Sequence, residues 1–345
     1  MTIELEKLKQ PKVDNNALLD IISGLVGYRA VVVAHQLKIF ELLKTHPLTL
    51  QQVAKALHIA DRPAEAIIIA NVALGLLRKI DSTYALAPIA REYLLEDSPT
   101  YFGALFDQIA NNKFSTSIES LKQAVISNSP QTYSGDDIFS SHKEDIGNAR
   151  TFTRAMHSVS IAPALVWPSS INLSQYTCLL DIGGGSGAHA IGALRQWPQL
   201  TGIVFDIGTV CEVAKEYIKK YNLGSRMRTQ TGDLWKTPFP AADIHLYSQI
   251  YHDWPLEKCH FLTEKSFESL QPGGRIIIHE VLYDDEKTGP FVAAASSVAM
   301  LVWTEGKQYS GKELVALLFD VGFEDIIIRP TFGYWSLVSG CKPGL

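Results

Sequence analysis

The sequence predicts an α/β protein: a helical N-terminal part of winged-helix shape, then a parallel sheet with its helices. Three observations carry this. Apolar residues recur at helical spacing through roughly the first 165 residues. From Tyr176 onward, short β-branched runs alternate with helical patterns. The first such run, Cys178-Leu179-Leu180-Asp181-Ile182, enters a glycine turn, Gly183-Gly184-Gly185-Ser186-Gly187.

Ala17, Leu18, Ile21, Ile22 and Leu25 mark a first helix, and residues 30–43 a second. Thr49 and Gln52 form a capping box, in which the hydroxyl takes an orphan N–H and the glutamine reaches back. The helix that follows carries Val53, Ala54 and Leu57. Asp61 and Pro63 open another, with Ile67, Asn71, Leu74 and Leu77 along it. Residues 78–86 read as a hairpin turning at Asp81-Ser82. A winged helix invites a nucleic-acid reading, but the would-be recognition helix, residues 61–77, is apolar, with Arg62, Arg78 and Lys79 at its ends. Groove readout needs outward Arg, Lys, Asn or Gln. The chain carries 31 Lys and Arg against 36 Asp and Glu, a formal charge of −5, whereas nucleic-acid-coating surfaces are basic. A packing or dimerisation module is the reading, with no nucleic-acid partner.

Residues 100–170 read as longer helices and loops, with a Ser-, Asn-, Pro- and Gly-rich loop over 127–137. Pro163 and Pro168 bracket Trp167 before a join near 165–175. Apolar residues make up 46% of the 345 and charged ones 19%, enough for a real core. No unbroken run approaches the length of a membrane span, and MTIELEKLKQ lacks an apolar signal core. The expectation is a cytoplasmic protein with no membrane partner. Cys178, Cys211, Cys259 and Cys341 are scattered without a CxxC pair, so reduced thiols and no metal are expected.

The glycine turn lies at the carboxyl end of the first strand, where open α/β sheets bind ligands, and a helix over 188–197 follows it. The next strand, 202–205, ends in Asp206, placed to hold ribose hydroxyls. GGGSG does not match GxGxxG, and there is no GK[ST]. Asp181 before the turn would repel phosphate and suit a cation, which favours S-adenosylmethionine with its amino group and sulfonium. A third strand, 226–230, leads to Asp233 and Leu234: a carboxylate for the adenine amino group, an apolar face for its ring. A fourth, 243–247, runs into Ser248-Gln249-Ile250-Tyr251-His252-Asp253-Trp254-Pro255. A helix over 257–270 and the strand 275–279 follow. Residues 312–321, 325–329 and 334–341 fit a helix and two closing strands. A His/His/Glu metal site lacks ligand spacing such as HExxH.

LLDIGGGSG, FDI, GDL, YHDWP and LQPGGRIIIHE, in this order, resemble the plant-type small-molecule O-methyltransferase family, which includes acetylserotonin methyltransferases. The resemblance covers nearly the whole chain. It implies a Rossmann-like, S-adenosylmethionine-dependent methyltransferase domain over 171–345. An N-terminal winged-helix-like dimerisation domain over 1–105 is implied, with a helical linker over 106–170 that contributes to the acceptor pocket. It further implies a final antiparallel strand and a homodimer. Gly183, Gly185 and Gly187 would line the cofactor, with Asp206, Asp233, Leu234 and Trp254 around the adenosine. His252 matches the family's base, and Glu280 the acid that orients it. Phe152, Met156, Val298, Ala299, Val302 and Trp303 match acceptor-pocket positions. Two departures stand out: Ser248 replaces a frequent lysine, and Gln308 a frequent second acid.

A sulfonium methyl is already activated, so the protein supplies proximity, alignment and removal of a proton. The reading is O-methylation of a small, aromatic hydroxyl compound. His252 would be general base, Glu280 would hold the imidazole's other nitrogen, and Gln308 would hydrogen-bond without charge. Transfer to carbon or nitrogen, and a non-catalytic ligand-binding protein, are the competing readings.

Overall fold

A computed structural model describes residues 10–112, 117–132, 143 and 145–344. The chain forms two compact units, Met1–Gly103 and Ala104–Leu345.

The first unit contains α1 (Asn16–Gln36), α2 (Ile39–Leu42), β1 (Leu48–Thr49), α3 (Leu50–Leu57), α4 (Asp61–Ala73), β2 (Leu77–Ile80), β3 (Thr83–Leu86) and α5 (Pro88–Tyr93). Its small sheet has the order β1-β3-β2. The capping box at Thr49 and Gln52 is present in both directions. The expected first and second helices are one continuous helix to Gln36, broken only where Lys38 turns left-handed. The helix continues because Gly24 and Gly27 only lower its propensity, and burial of Ala30, Val31, Val32 and Ala34 outweighs that. The other half of α1 is different: Leu18, Ile21, Ile22, Leu25 and Val26 are each more than half exposed. Among the described residues, α1 is the one helix long and apolar enough to cross a membrane, by length and composition only. No unbroken apolar run marks it in the sequence, because Asp20 and Arg29 interrupt it.

The second unit begins with α6 (Gly103–Asn111), α7 (Ile118–Ser127) and α8 (Ile146–Val166). The loop expected over 127–137 lies partly outside the described residues, which stop at 132 and resume at 143. Pro163 sits inside α8 rather than ending it, and Trp167–Ser170 forms a 3-10 turn below. Then come β4 (Cys178–Ile182), α9 (Ala188–Gln196), β5 (Thr201–Asp206), α10 (Gly208–Lys220), β6 (Met227–Thr231), β7 (Ile244–Ser248), α11 (Leu256–Ser269) and β8 (Arg275–Val281). The unit closes with α12 (Phe291–Trp303), α13 (Gly311–Val321), β9 (Glu324–Pro330) and β10 (Trp335–Cys341).

The sheet order is β6-β5-β4-β7-β8-β10-β9. β4 to β8 are mutually parallel, and β10 runs antiparallel to β8, with Trp335 opposite Val281 and Cys341 opposite Arg275. Leu180, Ile182, Tyr247, Ile276 and Ile278 bury into one core cluster and Leu179, Val204, Leu246 and Ile277 into another, so both faces are covered. Parallel register brings the strand ends level: Ile182 with Phe205, Asp206 with Thr231, Ser248 with His279. Asp181, Asp206, Asp233, Ser248, His252 and Glu280 therefore gather along the carboxyl edge.

Candidate active site

The glycine turn is built by left-handed backbone, with φ of +65° at Gly183, +56° at Gly185 and +75° at Gly187. A side chain at Gly187 would also meet Met227 Cε at 2.4 Å. At Gly185 the same position opens on empty space. Its N–H points instead to Asp206 Oδ2 at 2.9 Å, while Asp206 Oδ1 accepts from Ile207 N–H at 2.7 Å. Burial pushes the Asp206 carboxyl up to about 6, against those two N–H donors. Asp181 is buried below the turn and accepts from Ala190 N–H at 3.3 Å. Burial raises its carboxyl to about 7, with Asp206 adding repulsion. An open cradle with acid on two sides fits a cationic adenosyl ligand and opposes a pyrophosphate.

Asp233 Oδ1 accepts from Trp235 N–H at 2.9 Å, and the Lys143 ammonium lies 3.9 Å from its Oδ2. Leu234 is partly buried against the core. Trp254 is buried edge-on to Trp235 at 4.8 Å between ring centres, with the Lys258 ammonium 4.7 Å over its ring. The Ser248 hydroxyl donates to the His279 carbonyl at 3.0 Å and meets His189 Nε2 at 2.8 Å. It is thus held within its own strand end.

His252 stands in the short 3-10 turn Tyr251–Asp253 and is buried. Its Nδ1 lies 2.7 Å from Gln308 Oε1, while Gln308 Nε2 donates to the Val281 carbonyl at 2.6 Å. The two amide contacts assign each other: with its NH2 spent on a carbonyl, Gln308 offers only an acceptor to Nδ1. When neutral, His252 is thereby the Nδ1–H tautomer, with its lone pair on Nε2. Asp253 Oδ1 lies 3.6 Å from Nε2.

Glu280 does not hold the imidazole's other nitrogen, as sequence reasoning expected. Its Oε1 accepts from three backbone N–H groups, Ile250 at 3.0 Å, Tyr251 at 2.8 Å and His252 at 3.4 Å. The carboxylate holds the loop instead, because the turn presents its N–H groups to the end of β8 before any side chain reaches it. Burial raises the Glu280 carboxyl, with His252 and those N–H groups opposing. Burial pulls the His252 pKa down, but Asp253, Glu280, Gln308 and the Gln249 carbonyl together carry it above the usual imidazole value.

Two features were missed from the sequence. Gly306 lies so close to the histidine turn that a Cβ would meet the His252 carbonyl at 2.2 Å. Only glycine lets the segment carrying Gln308 reach the imidazole. His157, on α8, joins the glycine turn: Nδ1 is 2.8 Å from Ser186 Oγ and Nε2 3.3 Å from Tyr221 OH. Burial holds this histidine neutral, lowering its pKa to about 3, with Lys220 adding repulsion. The signal was visible as Ser186 inside the turn, but its partner lies 29 residues away.

Phe152 and Met156 sit one turn apart on α8, both partly buried. Val298 and Ala299 on α12 are exposed, Trp303 is partly buried and Val302 is fully buried. The Val302 carbonyl accepts from Gln131 N–H at 2.9 Å, tying α12 to the end of α7's loop. Ser297, unforeseen, accepts the Gln308 N–H at 3.3 Å.

The sheet order with its antiparallel last strand, and the glycine turn with Asp206 at the carboxyl edge, are those of a Rossmann-like methyltransferase fold. An O-methyltransferase domain model matches residues 118–324 and an O-methyltransferase dimerisation domain model matches 19–96. The chain belongs to this O-methyltransferase family. It is 32% identical to a 3-hydroxy-5-methyl-1-naphthoate 3-O-methyltransferase of Streptomyces sahachiroi, over 90% of this chain and 89% of that one. It is 29% identical to a tetracenomycin polyketide synthesis 8-O-methyl transferase of Streptomyces glaucescens, over 94% and 96%. Human N-acetylserotonin methyltransferase, solved in complex with S-adenosylmethionine, superposes with a TM-score of 0.84 at 26% identity, over 97% of this chain and 100% of that one.

Proposed function

We propose that this chain transfers a methyl group from S-adenosylmethionine to a hydroxyl of a small aromatic molecule, with His252 as general base. The observation that carries the reading is the locked His252–Gln308–Val281 chain, which leaves one basic nitrogen free beside the cofactor edge. The cofactor is S-adenosylmethionine, held by Gly183, Gly185 and Gly187, by Asp206 at the ribose and by Asp233, Leu234 and Trp254 around the adenine. Asp181, its carboxyl raised to about 7, adds partial negative charge beneath the turn at neutral pH, and Ser248 braces the strand end beside it. When bound, this cofactor supplies an electrophilic methyl carbon on a sulfonium and leaves as a neutral thioether.

The acceptor hydroxyl meets Nε2 of His252. As the oxygen bonds to carbon, its proton passes to Nε2, and the imidazolium is stabilised by Asp253 and Glu280. Glu280 fixes the turn through its backbone, so it is a positioning residue. Gln308 fixes the tautomer. Phe152, Met156 and Trp303 give the aromatic acceptor its apolar walls, with Val298 and Ala299 at the rim and Val302 behind. In this reading α8 and α12 supply the acceptor pocket, the dimerisation domain spans 1–105, the helical linker 106–170 and the cofactor domain 171–345. The exposed apolar face of α1 supports a homodimer, and the proposed location is the cytoplasm.

Calorimetric titration with S-adenosylhomocysteine, then product mass spectrometry with labelled cofactor and a panel of hydroxyaromatics, tests this. Saturable binding and a methyl located on oxygen are expected. A methyl on nitrogen or carbon overturns the acceptor assignment, and binding without turnover on any acceptor overturns the enzymatic one.

A further inference from the structure

Lys258 stands in the first turn of α11, where the helix dipole opposes a cation, so helix formation gives no reason for a lysine there. Its ammonium is engaged by three other segments. It lies 4.7 Å over the ring of Trp254 and 5.8 Å over that of Trp235, which follows Asp233 and Leu234. It also lies 2.5 Å from Glu305 Oε2. The two paired side chains are 39% and 36% exposed, and a surface ion pair of this kind contributes little to stability. Glu305, however, opens the segment that carries Gln308. At its inner end this segment is bonded to the histidine turn twice. Gln308 Oε1 meets His252 Nδ1 at 2.7 Å, and Tyr309 OH donates to the Trp254 carbonyl at 2.8 Å. Gly306 lies directly on the backbone of residues 252–254. At its outer end the segment is joined to α11 by the Lys258–Glu305 pair.

We propose that Lys258 and Glu305 are a positioning pair that registers the base against the cofactor. Lys258 steadies the Trp254 indole at the adenosine, and through Glu305 it holds Gln308 on the imidazole. The inference rests on the reading of Trp254 at the adenosine and His252 as base. Trp254 belongs to both ends of the device: its ring lies under the ammonium, and its carbonyl is held by Tyr309. In-line methyl transfer tolerates little misplacement, so a contact too weak to matter for folding can still matter for alignment.

Calorimetry with S-adenosylhomocysteine and nitrogen-15 spectra of histidine-labelled protein read the two ends separately, and neither needs an acceptor. In Lys258→Met the dissociation constant for S-adenosylhomocysteine is expected to rise about threefold, the value of a cation over an exposed indole. In Glu305→Gln it should stay within about 1.5-fold of native, since the ammonium remains over the ring. In both variants the Nδ1–H of His252, assigned by its loss in His252→Gln, should exchange with water about fivefold faster or more. The double variant should exchange no faster than Lys258→Met, because both changes remove one pair. Lys258→Arg, which keeps the cation, should restore both readouts. On a hydroxyaromatic that the native enzyme methylates, kcat should fall about threefold in both variants, while KM for S-adenosylmethionine rises only in Lys258→Met. Native exchange in Glu305→Gln overturns the hold on Gln308, and native affinity in Lys258→Met overturns the hold on Trp254. A lower urea midpoint with both readouts native makes the pair a stabilising contact alone and overturns the proposal. Failure of the underlying reading shows elsewhere: Trp254→Ala binding S-adenosylhomocysteine as native does, or His252→Ala with native turnover, refutes that reading whatever Lys258 does.

Discussion

The charge state of His252 is a contest between burial and two carboxylates, and the carboxylates win. A base must be neutral to act, so kcat/KM is expected to fall as pH drops through a value above the ordinary imidazole pKa. Asp253→Asn removes a raising charge, and the acid limb of the pH profile should move to lower pH. A limb that stays in place would show that Asp253 does not tune the ring. His252→Ala should lower methyl transfer by about 10²–10⁴-fold while S-adenosylhomocysteine affinity, read by calorimetry, stays near native. The Asp206 carboxyl, raised to about 6 by burial, binds a proton in competition with a cofactor that needs it ionised. Affinity for S-adenosylmethionine should therefore weaken as pH falls through about 6, and Asp206→Ala should weaken it at every pH. Calorimetry showing a flat pH profile would remove Asp206 from the ribose.

Elements meet at contacts that admit no extra atoms. The segment before α13 reaches His252 only because Gly306 has no side chain. Gly306→Ala is expected to separate Gln308 from Nδ1 and lower kcat about tenfold or more, while S-adenosylhomocysteine binds as in native protein. Loss of both functions together would mean the whole edge has moved, not the histidine turn alone. Helix α8 meets the glycine turn through His157 and Ser186. His157→Ala should raise the KM for cofactor with little change in kcat, and His157→Gln, which keeps a hydrogen-bonding group, should recover part of it. Equal losses in both constants would place His157 in the chemistry instead of the turn.

At the scale of the molecule, two features stand outside the site. His245 is fully buried, bonded through Nδ1 to Ser266, and burial lowers its pKa to about 3. The folded state keeps it neutral while the unfolded chain protonates it near about 6.5. Its contribution is thus present above that value and lost as pH falls, amounting to about 2 kcal/mol between pH 7 and 5. His245→Asn should be less stable at pH 7 but show a shallower drop in urea midpoint on acidification. A drop as steep as native would locate the acid sensitivity elsewhere. The second feature is the exposed apolar half of α1. The proposed homodimer, if sealed by this face, predicts that Ile22→Asp is a monomer by light scattering, because a buried unpaired carboxylate is costly at an interface.

The sequence by itself determined the order of strands and helices, the glycine turn, the acid after β5 and the histidine in its loop. Each is a local pattern, in which periodicity, a turn residue or an acid at a strand end acts within a few positions. It also marked Gln308 as unusual. It misplaced Glu280 and divided α1. It gave no sign of Gly306 or His157 as contacts. Those were decided by tertiary structure, because partners such as His252 and Gln308 lie 56 residues apart and Ile250 and Glu280 lie 30 apart. Whether a buried carboxylate takes a ring nitrogen or three backbone N–H groups depends on which donor packing brings within hydrogen-bond reach, and residue spacing does not encode that distance.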